Sequence, residues 1–518
     1  MKKRTKRLAT VMLAATMLGT AVPSTALAAV VKSESAATQS GTTGDCTWML
    51  DDEGTLTISG NGEMGKYGDL EAAAPWKSSV KRAVIEKGVT NIGKWAFNDC
   101  ENLTEVTLPD TVISIGDGAF ADCDNLTEIS LPNRLIVIES GAFGCCTNLK
   151  DFTIPNSVGF IGEGAFSGCK SLTSVVIPPG VSKIGRGAFG YCNSLTSLVV
   201  SADNPFYDSR DNCNAIIETK TNKLIQGIQT TVIPGSVETI GSDSFSGCNG
   251  LTTVSIPRGV KSIRFDAFSS CDNLESVYIS DTVTDISNSS FSNARGKLHT
   301  IVIDSDNPVY DSRSSCNAII RTEDNELVFG CKATVIPDGA ASIGCQAFAY
   351  CGGLTSITIP GSVKLIDESA FYGCENLTEV VMGDGVEDIR SGAFTGCYSL
   401  SSITVPASVK YIKEDSFGWI RDEVEKHVLY CNKDSFAHQF AVENEIPFFL
   451  TDSEDVGDFN FDGKIAIDDV TTLQRSLAEF SGVPNAENSA VVKLADVNGD
   501  GRFNIKDATK IQRDLAEL

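Results

Sequence analysis

The chain has 518 residues, with 42 Lys+Arg against 67 Asp+Glu and a formal charge of −25. That acidity argues against recognition of nucleic acid, which needs clustered cations to displace counterions, and against charge-driven adhesion to anionic lipid. The length alone points to about three domains.

Lys2, Lys3, Arg4, Lys6 and Arg7 precede an apolar run from Leu8 to Val22, and Ala26-Leu27-Ala28 offers a small-residue cleavage site. This is the pattern of a secretory signal peptide over residues 1–28. No later stretch reaches the ~18 uninterrupted apolar residues a membrane span needs. Residues 29–44, dominated by Ser, Thr and Gly, are expected to form a disordered leader. Residues 45–85 predict an N-terminal cap: Trp48–Gly54 and Thr55–Gly60 form a hairpin, with Trp76 as filler.

A fixed period governs residues 86–420. Phe97, Phe120, Phe143, Phe166 and Phe189 follow one another at a constant step, and the same step links Phe245, Phe268 and Phe291, then Phe348, Phe371, Phe394 and Phe417. A constant step of this size marks a solenoid, in which each unit buries its apolar face only against its neighbours. In one unit, Leu103–Leu108 alternates apolar and polar and predicts a short strand with one buried face. Pro109 ends it, because proline cannot donate to a ladder. Val112–Ile115 predicts a second extended piece, Gly116 a tight turn, and Ala119-Phe120 a core plug. At a strand spacing of ~4.8 Å, twelve such coils would make a rod about 60 Å long.

The run Ile161-Gly162-Glu163-Gly164-Ala165-Phe166-Ser167-Gly168-Cys169-Lys170-Ser171-Leu172 resembles the signature of BspA-type leucine-rich repeats. The resemblance spans about residues 85–420 and implies an adhesion or interaction role without naming a ligand. The expected fold is a β-rich leucine-rich repeat solenoid of short parallel strands in 23-residue coils, capped at both ends, with a small all-α calcium-binding module after it.

Two insertions, about residues 201–234 and 304–337, break the step. Asn204-Pro205, Tyr207–Arg210 and Cys213–Ile217 recur at one constant offset as Asn307-Pro308, Tyr310–Arg313 and Cys316–Ile320, so a larger block was duplicated. Alternation in each predicts extra strands projecting from the solenoid, as recognition loops or as padding, with padding the favoured of the two. Residues 421–451 predict a C-terminal cap: a strand at Val428–Tyr430, a helix at Ser435–Asn444 and a strand at Ile446–Leu450.

Seventeen cysteines in an exported chain suggest disulfides, but ten of them stand three residues after the repeat Phe, from Cys100 to Cys397. One cysteine per coil at an equivalent inward position reads as a ladder of buried thiols. Bridges between adjacent coils are the alternative, since Cα atoms ~5 Å apart can be joined. No C-x-x-C pair occurs, which argues against zinc.

The strongest chemical signal lies in residues 452–518. Asp458-Phe459-Asn460-Phe461-Asp462-Gly463-Lys464 through Asp469 is a twelve-residue acidic loop, and Asp496 through Asp507 repeats it position by position. Calcium takes six to eight oxygens. Asp458, Asn460, Asp462 and Asp469 supply side-chain oxygens and Lys464 its carbonyl; Asp496, Asn498, Asp500 and Asp507 with Arg502 form the second set, for two Ca²⁺ ions. Aspartate at the last position, and a loop followed by one helix with none before it, resemble a type I dockerin. That resemblance implies docking onto a cohesin domain of a scaffoldin, as in a cellulosome. The partner-reading positions map to Ile467, Asp468, Gln474 and Arg475, and in the second half to Ile505, Lys506, Gln512 and Arg513. Asp468 against Lys506 breaks the symmetry between the halves.

Only His299, His427 and His438 occur, none in an H-E-x-x-H, and there is no G-x-S-x-G. The expectation is therefore a secreted, non-catalytic binding or adhesion protein, held in an extracellular complex by its dockerin, with a protein or cell-surface ligand for the repeats. The alternative is an enzyme acting directly in polysaccharide degradation. Because metal ligation and folding are coupled in such small modules, EDTA should abolish the helical signal of residues 456–518 and all cohesin binding. Full binding in excess chelator would refute the calcium assignment.

Overall fold

The computed structural model describes residues 37–68, 73–292, 294, 296–418 and 428–452. The expected signal segment, the expected calcium loops and every expected cohesin contact lie outside those residues.

Within them the chain winds as a solenoid of parallel coils. Each coil places a short strand such as Ser114–Ile115 against its counterpart one coil on, with Ser114 opposite Val137 and Ile115 opposite Ile138. Six such pieces, from Gly62–Glu63 to Lys183–Ile184, form one continuous ladder. The longer strand of each coil builds a second face. Thr55–Gly60, Arg82–Ile85 and Glu105–Thr107 run parallel there. That ladder lapses near residues 126–131 and 149–154 and resumes at Ser174–Ile177 and Ser197–Val200.

Inside the coils the phenylalanines stack. Ring centroids of Phe97, Phe120, Phe143, Phe166 and Phe189 are successively 5.1, 5.4, 5.3 and 5.4 Å apart, with planes within 9° of parallel. Their spacing runs slightly above the ~4.8 Å strand spacing, so one aromatic per coil lines the axis. Burying each ring stabilises by about 1.5–3 kcal/mol. The glycine after Ile115 answers to space rather than to turn geometry. Gly116 lacks a positive φ, but a Cβ there would sit 2.8 Å from the Lys94 nitrogen and 2.9 Å from the Ile92 oxygen. Gly162 and Gly185 face the preceding coil's backbone just as closely.

Both ends of the aromatic column are closed. Trp76 is fully buried and donates its indole N–H to the Ala96 carbonyl at 2.9 Å. It meets Trp48, Tyr67 and Phe97 at centroid distances of 5.5, 5.3 and 5.9 Å. The expected disordered leader is partly structured: Ala37–Thr43 is a strand antiparallel to Cys46–Asp51. Gly41 lies directly against the Trp48 indole, so apolar cover over that ring favours order. At the other end the helix Phe436–Glu443 is N-capped by Ser435, whose hydroxyl accepts from the His438 amide. Phe440 meets Phe417 edge-on at 6.2 Å. The strands Val428–Cys431 and Phe448–Leu450 extend Ser402–Thr404 in parallel.

The two insertions do not project. Ala215–Glu218 and Lys223–Gly227 form a hairpin whose second strand joins the short-strand ladder, with Leu224 opposite Ile240. Ala318–Arg321 and Glu326–Gly330 repeat this, with Leu327 opposite Ile343. The alternating residues read as surface padding face packed coils on both sides instead.

The duplicated motif ends one set of ladders and starts the next. The Asn204 side chain donates to the Pro178 and Val181 carbonyls at 2.8 and 3.0 Å and accepts from the Phe206 and Tyr207 amides. The Tyr207 hydroxyl takes the Ile184 amide at 3.2 Å, and Ser209 takes that of Val200 at 2.9 Å. Asn307, Tyr310 and Ser312 do the same one block later. Each recurring polar residue thus satisfies an edge group that would otherwise be buried unpaired.

Phe166→Ala should destabilise the solenoid by about 3–5 kcal/mol through the cavity it leaves. Gly162→Ala should cost a comparable amount by pushing two coils apart, although it adds only a methyl group. Equilibrium denaturation of both variants checks this, and a neutral Gly162→Ala would contradict the close-approach account.

Candidate functional site

The outward side of the longer strands is the regular surface available for binding. Thr104, Glu105, Thr107, Thr173, Thr252, Thr253, Ser255, Thr355, Ser356, Thr358 and Tyr278 are exposed there, with Ser174 half-buried. The structure adds residues that sequence reading missed. Val176, Val199, Val302 and Val381 are 60, 40, 42 and 48 % exposed. They align with the polar positions in register: Val176 opposite Val199, Ser255 opposite Tyr278 and Tyr278 opposite Val302, and Thr358 opposite Val381. Val232 and Val335, from the two insertions, are still more exposed. Runs such as Val175-Val176-Ile177 look wholly internal by composition. Strand parity would have separated them: the outward residue in most coils stands two before the proline, as Thr107 does before Pro109 and Val176 before Pro178. The face is therefore a smooth row of Thr, Val and Ser with Tyr278 among them.

The turn edge carries a second set of exposed aromatics. Tyr350 and Tyr372 meet edge-to-face at 5.3 Å, and Tyr398 is 75 % exposed. Ion pairs link successive coils across the surface, including Arg82 with Glu105 at 2.9 Å, Lys261 with Glu238 at 2.7 Å and Lys410 with Glu387 at 2.6 Å. Water and salt screen exposed pairs of this kind, so they add little to stability. A shallow depression of about 240 Å³ lies among Asp367, Glu368, Arg390, Ser391, Tyr411 and Lys413. Its Arg390 is already engaged by Asp367 at 3.0 Å and Asp388 at 3.4 Å.

Histidine is used locally. His438 Nδ1 accepts from the Asp434 amide at 3.1 Å and its ring packs on Phe448, while exposed His299 contacts the Thr300 hydroxyl. Among the described residues, no group of three or more His, Cys, Asp or Glu side chains is placed to hold a metal ion. No described helix is long and apolar enough to cross a membrane.

All seventeen cysteines are free thiols, which resolves the choice between ladder and bridges. Cys123, Cys146, Cys169 and Cys192 donate to the carbonyls of Phe97, Phe120, Phe143 and Phe166 at 3.0, 3.0, 3.2 and 3.2 Å. The thiol therefore ties each turn to the aromatic column of the coil before it. Burial pushes the Cys100, Cys146, Cys192 and Cys271 thiols up to about 12, and also raises Cys123, Cys169 and Cys248 well above the ordinary thiol value. Such groups are poor nucleophiles.

Two family models match the chain. The BspA type leucine rich repeat region matches residues 72–196, 215–319 and 329–438, and the dockerin type I domain, a calcium-binding module in general, matches residues 456–516. The two acidic loops expected to hold calcium and all expected cohesin contacts fall inside the latter span. Among solved structures, a leucine-rich repeat protein from Eubacterium ventriosum is 25 % identical, with a TM-score of 0.53, covering 73 % of this chain and 94 % of its own. A leucine rich cell surface protein from Faecalibacterium prausnitzii is 28 % identical, with a TM-score of 0.41, covering 66 % of this chain and 94 % of its own. No curated protein matches.

The raised thiol values fix a pH dependence. Folded thiols resist ionisation, so their stabilising effect is complete below the ordinary value of 9.0 and is lost as pH rises from there toward about 12. Denaturation midpoints should hold up to about pH 9 and fall steeply above it. Alkylation of the native chain at pH 8 should label Cys145, the exposed thiol, ahead of the buried ladder. Uniform labelling would contradict a packed ladder.

Proposed function

We propose, for a chain that belongs to the BspA-type leucine-rich repeat family and ends in a type I dockerin, that it is an exported binding protein which the dockerin plugs into a cohesin-bearing extracellular scaffold. The observation that carries this reading is the pair of matching acidic loops, Asp458–Asp469 and Asp496–Asp507, inside the span matching the dockerin model.

Their chemistry suits calcium. Asp458, Asn460, Asp462 and Asp469, with the Lys464 carbonyl, offer hard oxygen donors, and Asp496, Asn498, Asp500 and Asp507 with the Arg502 carbonyl offer the same again. Two bound Ca²⁺ ions would hold the loops and so order the helices after them. Ile467, Asp468, Gln474 and Arg475, with Ile505, Lys506, Gln512 and Arg513, then present the cohesin-reading surface. The exchange of Asp468 for Lys506 makes the two halves unequal in charge, so one binding orientation is favoured.

The solenoid, in this reading, is the non-catalytic recognition arm. Its long-strand face is wide, regular and lined by short polar and β-branched side chains, which suits a protein or cell-surface ligand. Stacked aromatics of the kind a glycan shelf uses are sparse on it. The basic and apolar segments at residues 1–28 support export, and a cellulosome-type assembly engaged in polysaccharide breakdown is the setting that a dockerin implies.

Calcium-dependent capture from the producing organism's culture fluid tests the proposal. The full-length mature chain should retain a protein that mass spectrometry identifies as carrying cohesin domains. EDTA or removal of residues 452–518 should release it. Sugar released from plant polysaccharide by the purified chain alone would overturn the non-catalytic assignment.

A further inference from the structure

We infer that the two insertions are partition walls that divide the rod into three blocks able to unfold separately. Among the described residues, the buried side chains separate accordingly into three clusters, spanning Cys46–Ile228, Cys213–Cys331 and Cys316–Leu450. The boundaries fall within the hairpins. Ile216 and Ile228 belong to the first core, while their neighbours Ile217 and Leu224 belong to the second. Ile319, Val328 and Cys331 belong to the second core, whereas Ile320 and Leu327 belong to the third. Adjacent side chains of a strand point to opposite faces, so Ile216 and Ile217, like Ile319 and Ile320, face opposite blocks; the register shift in each hairpin falls opposite them, at Ile225 and Val328 of the second strand.

Each wall is attached unequally to the blocks it separates. Toward the following block the connection is main chain to main chain: Gly227 donates to the Ser244 carbonyl at 2.7 Å and Gly241 to the Leu224 carbonyl at 2.9 Å. Toward the preceding block, both strand ladders stop at Lys183–Ile184 and Ser197–Val200. Side chains take over at the wall, with the Tyr207 hydroxyl on the Ile184 amide, Ser209 on Val200 and the Thr230 hydroxyl on the Thr196 carbonyl, while one main-chain bond, from the Tyr191 amide to the Ser246 carbonyl at 3.0 Å, passes beside the wall between the blocks. Gln226 acts as a relay. Its Oε1 accepts from the Phe189 amide at 3.2 Å, and its Nε2 donates to the Ser244 carbonyl at 3.0 Å. Phe329 holds the corresponding place in the second wall, 5.2 Å from Phe291. The wall is thus a cap built into the middle of the rod: it covers the end of one core and founds the next.

Hydrogen exchange of the full calcium-loaded chain across a denaturant series tests this, using a core variant in one block as the perturbation. Phe120→Ala should lower the exchange midpoint of amides in residues 89–200 and leave those in 342–412 unchanged. Should that variant fail to accumulate, Phe371→Ala serves in reverse, lowering 342–412 and sparing 89–200. A parallel fall of all amides with either variant would overturn the partition and make the rod a single cooperative unit.

Discussion

The structure depends on main chain meeting main chain once per coil. At every turn the backbone returns to within hydrogen-bond distance of itself, as where Gly162 donates to the Ile138 carbonyl at 2.8 Å and Phe143 to that of Ala165 at 2.8 Å. Other choices in the coil follow from that approach. Glycine stands where a Cβ would strike the previous turn, alanine or serine precedes the phenylalanine where space is short, and cysteine follows where a small side chain must fill the core and still donate. The phenylalanines stack because the coils do; their spacing is inherited from the backbone, and their burial then stabilises it.

Such a regular object has two weaknesses, its ends and any interruption. Exposed ladder edges invite pairing with other chains, and here each end is closed by aromatic cover, Trp76 at one and Phe440 at the other. Interruptions are met by the Asn-Pro-x-Tyr-Asp-Ser-Arg motif, whose Asn, Tyr and Ser side chains take over groups that an adjoining coil would have satisfied. The same polar residues on a loop would read as a recognition site. Their buried bonds to the preceding coil make them structural, and they leave the Thr/Val face and the turn-edge tyrosines as the surface open to ligands.

The period, the phenylalanine column, the free cysteine ladder and the C-terminal helix were legible because each depends on contacts that repeat at one spacing or on local cap chemistry. Ser435 and Asn444 bounded that helix through residues visible in the sequence. What escaped was decided by contacts between nonequivalent segments. Ala37–Thr43 is ordered by pairing with Cys46–Asp51, which its Ser/Thr-rich composition does not advertise. The insert hairpins are buried because coils lie on both sides of them, whereas alternation alone suggested one wet face. Val176 and Val381 were missed because apolar residues on a flat sheet look the same from composition whether they point in or out. The match to a type I dockerin was legible for a different reason: the acidic loops that suggested it carry a local spacing, needing no partner elsewhere in the chain.

In a solenoid of equivalent coils each added period lengthens the structure by one strand spacing, so the number of coils sets its length. The central claim is that the coils are translationally equivalent. Deleting residues 138–160, one full period, joins Val137 to Ile161, and these are consecutive in register because Val137 already pairs with Phe160 and Ile138 with Ile161. Circular dichroism and thermal melting of that deletion should give a folded, cooperatively melting rod, one coil shorter by small-angle scattering. A disordered or aggregated product, with loss of the β signal, would contradict the account.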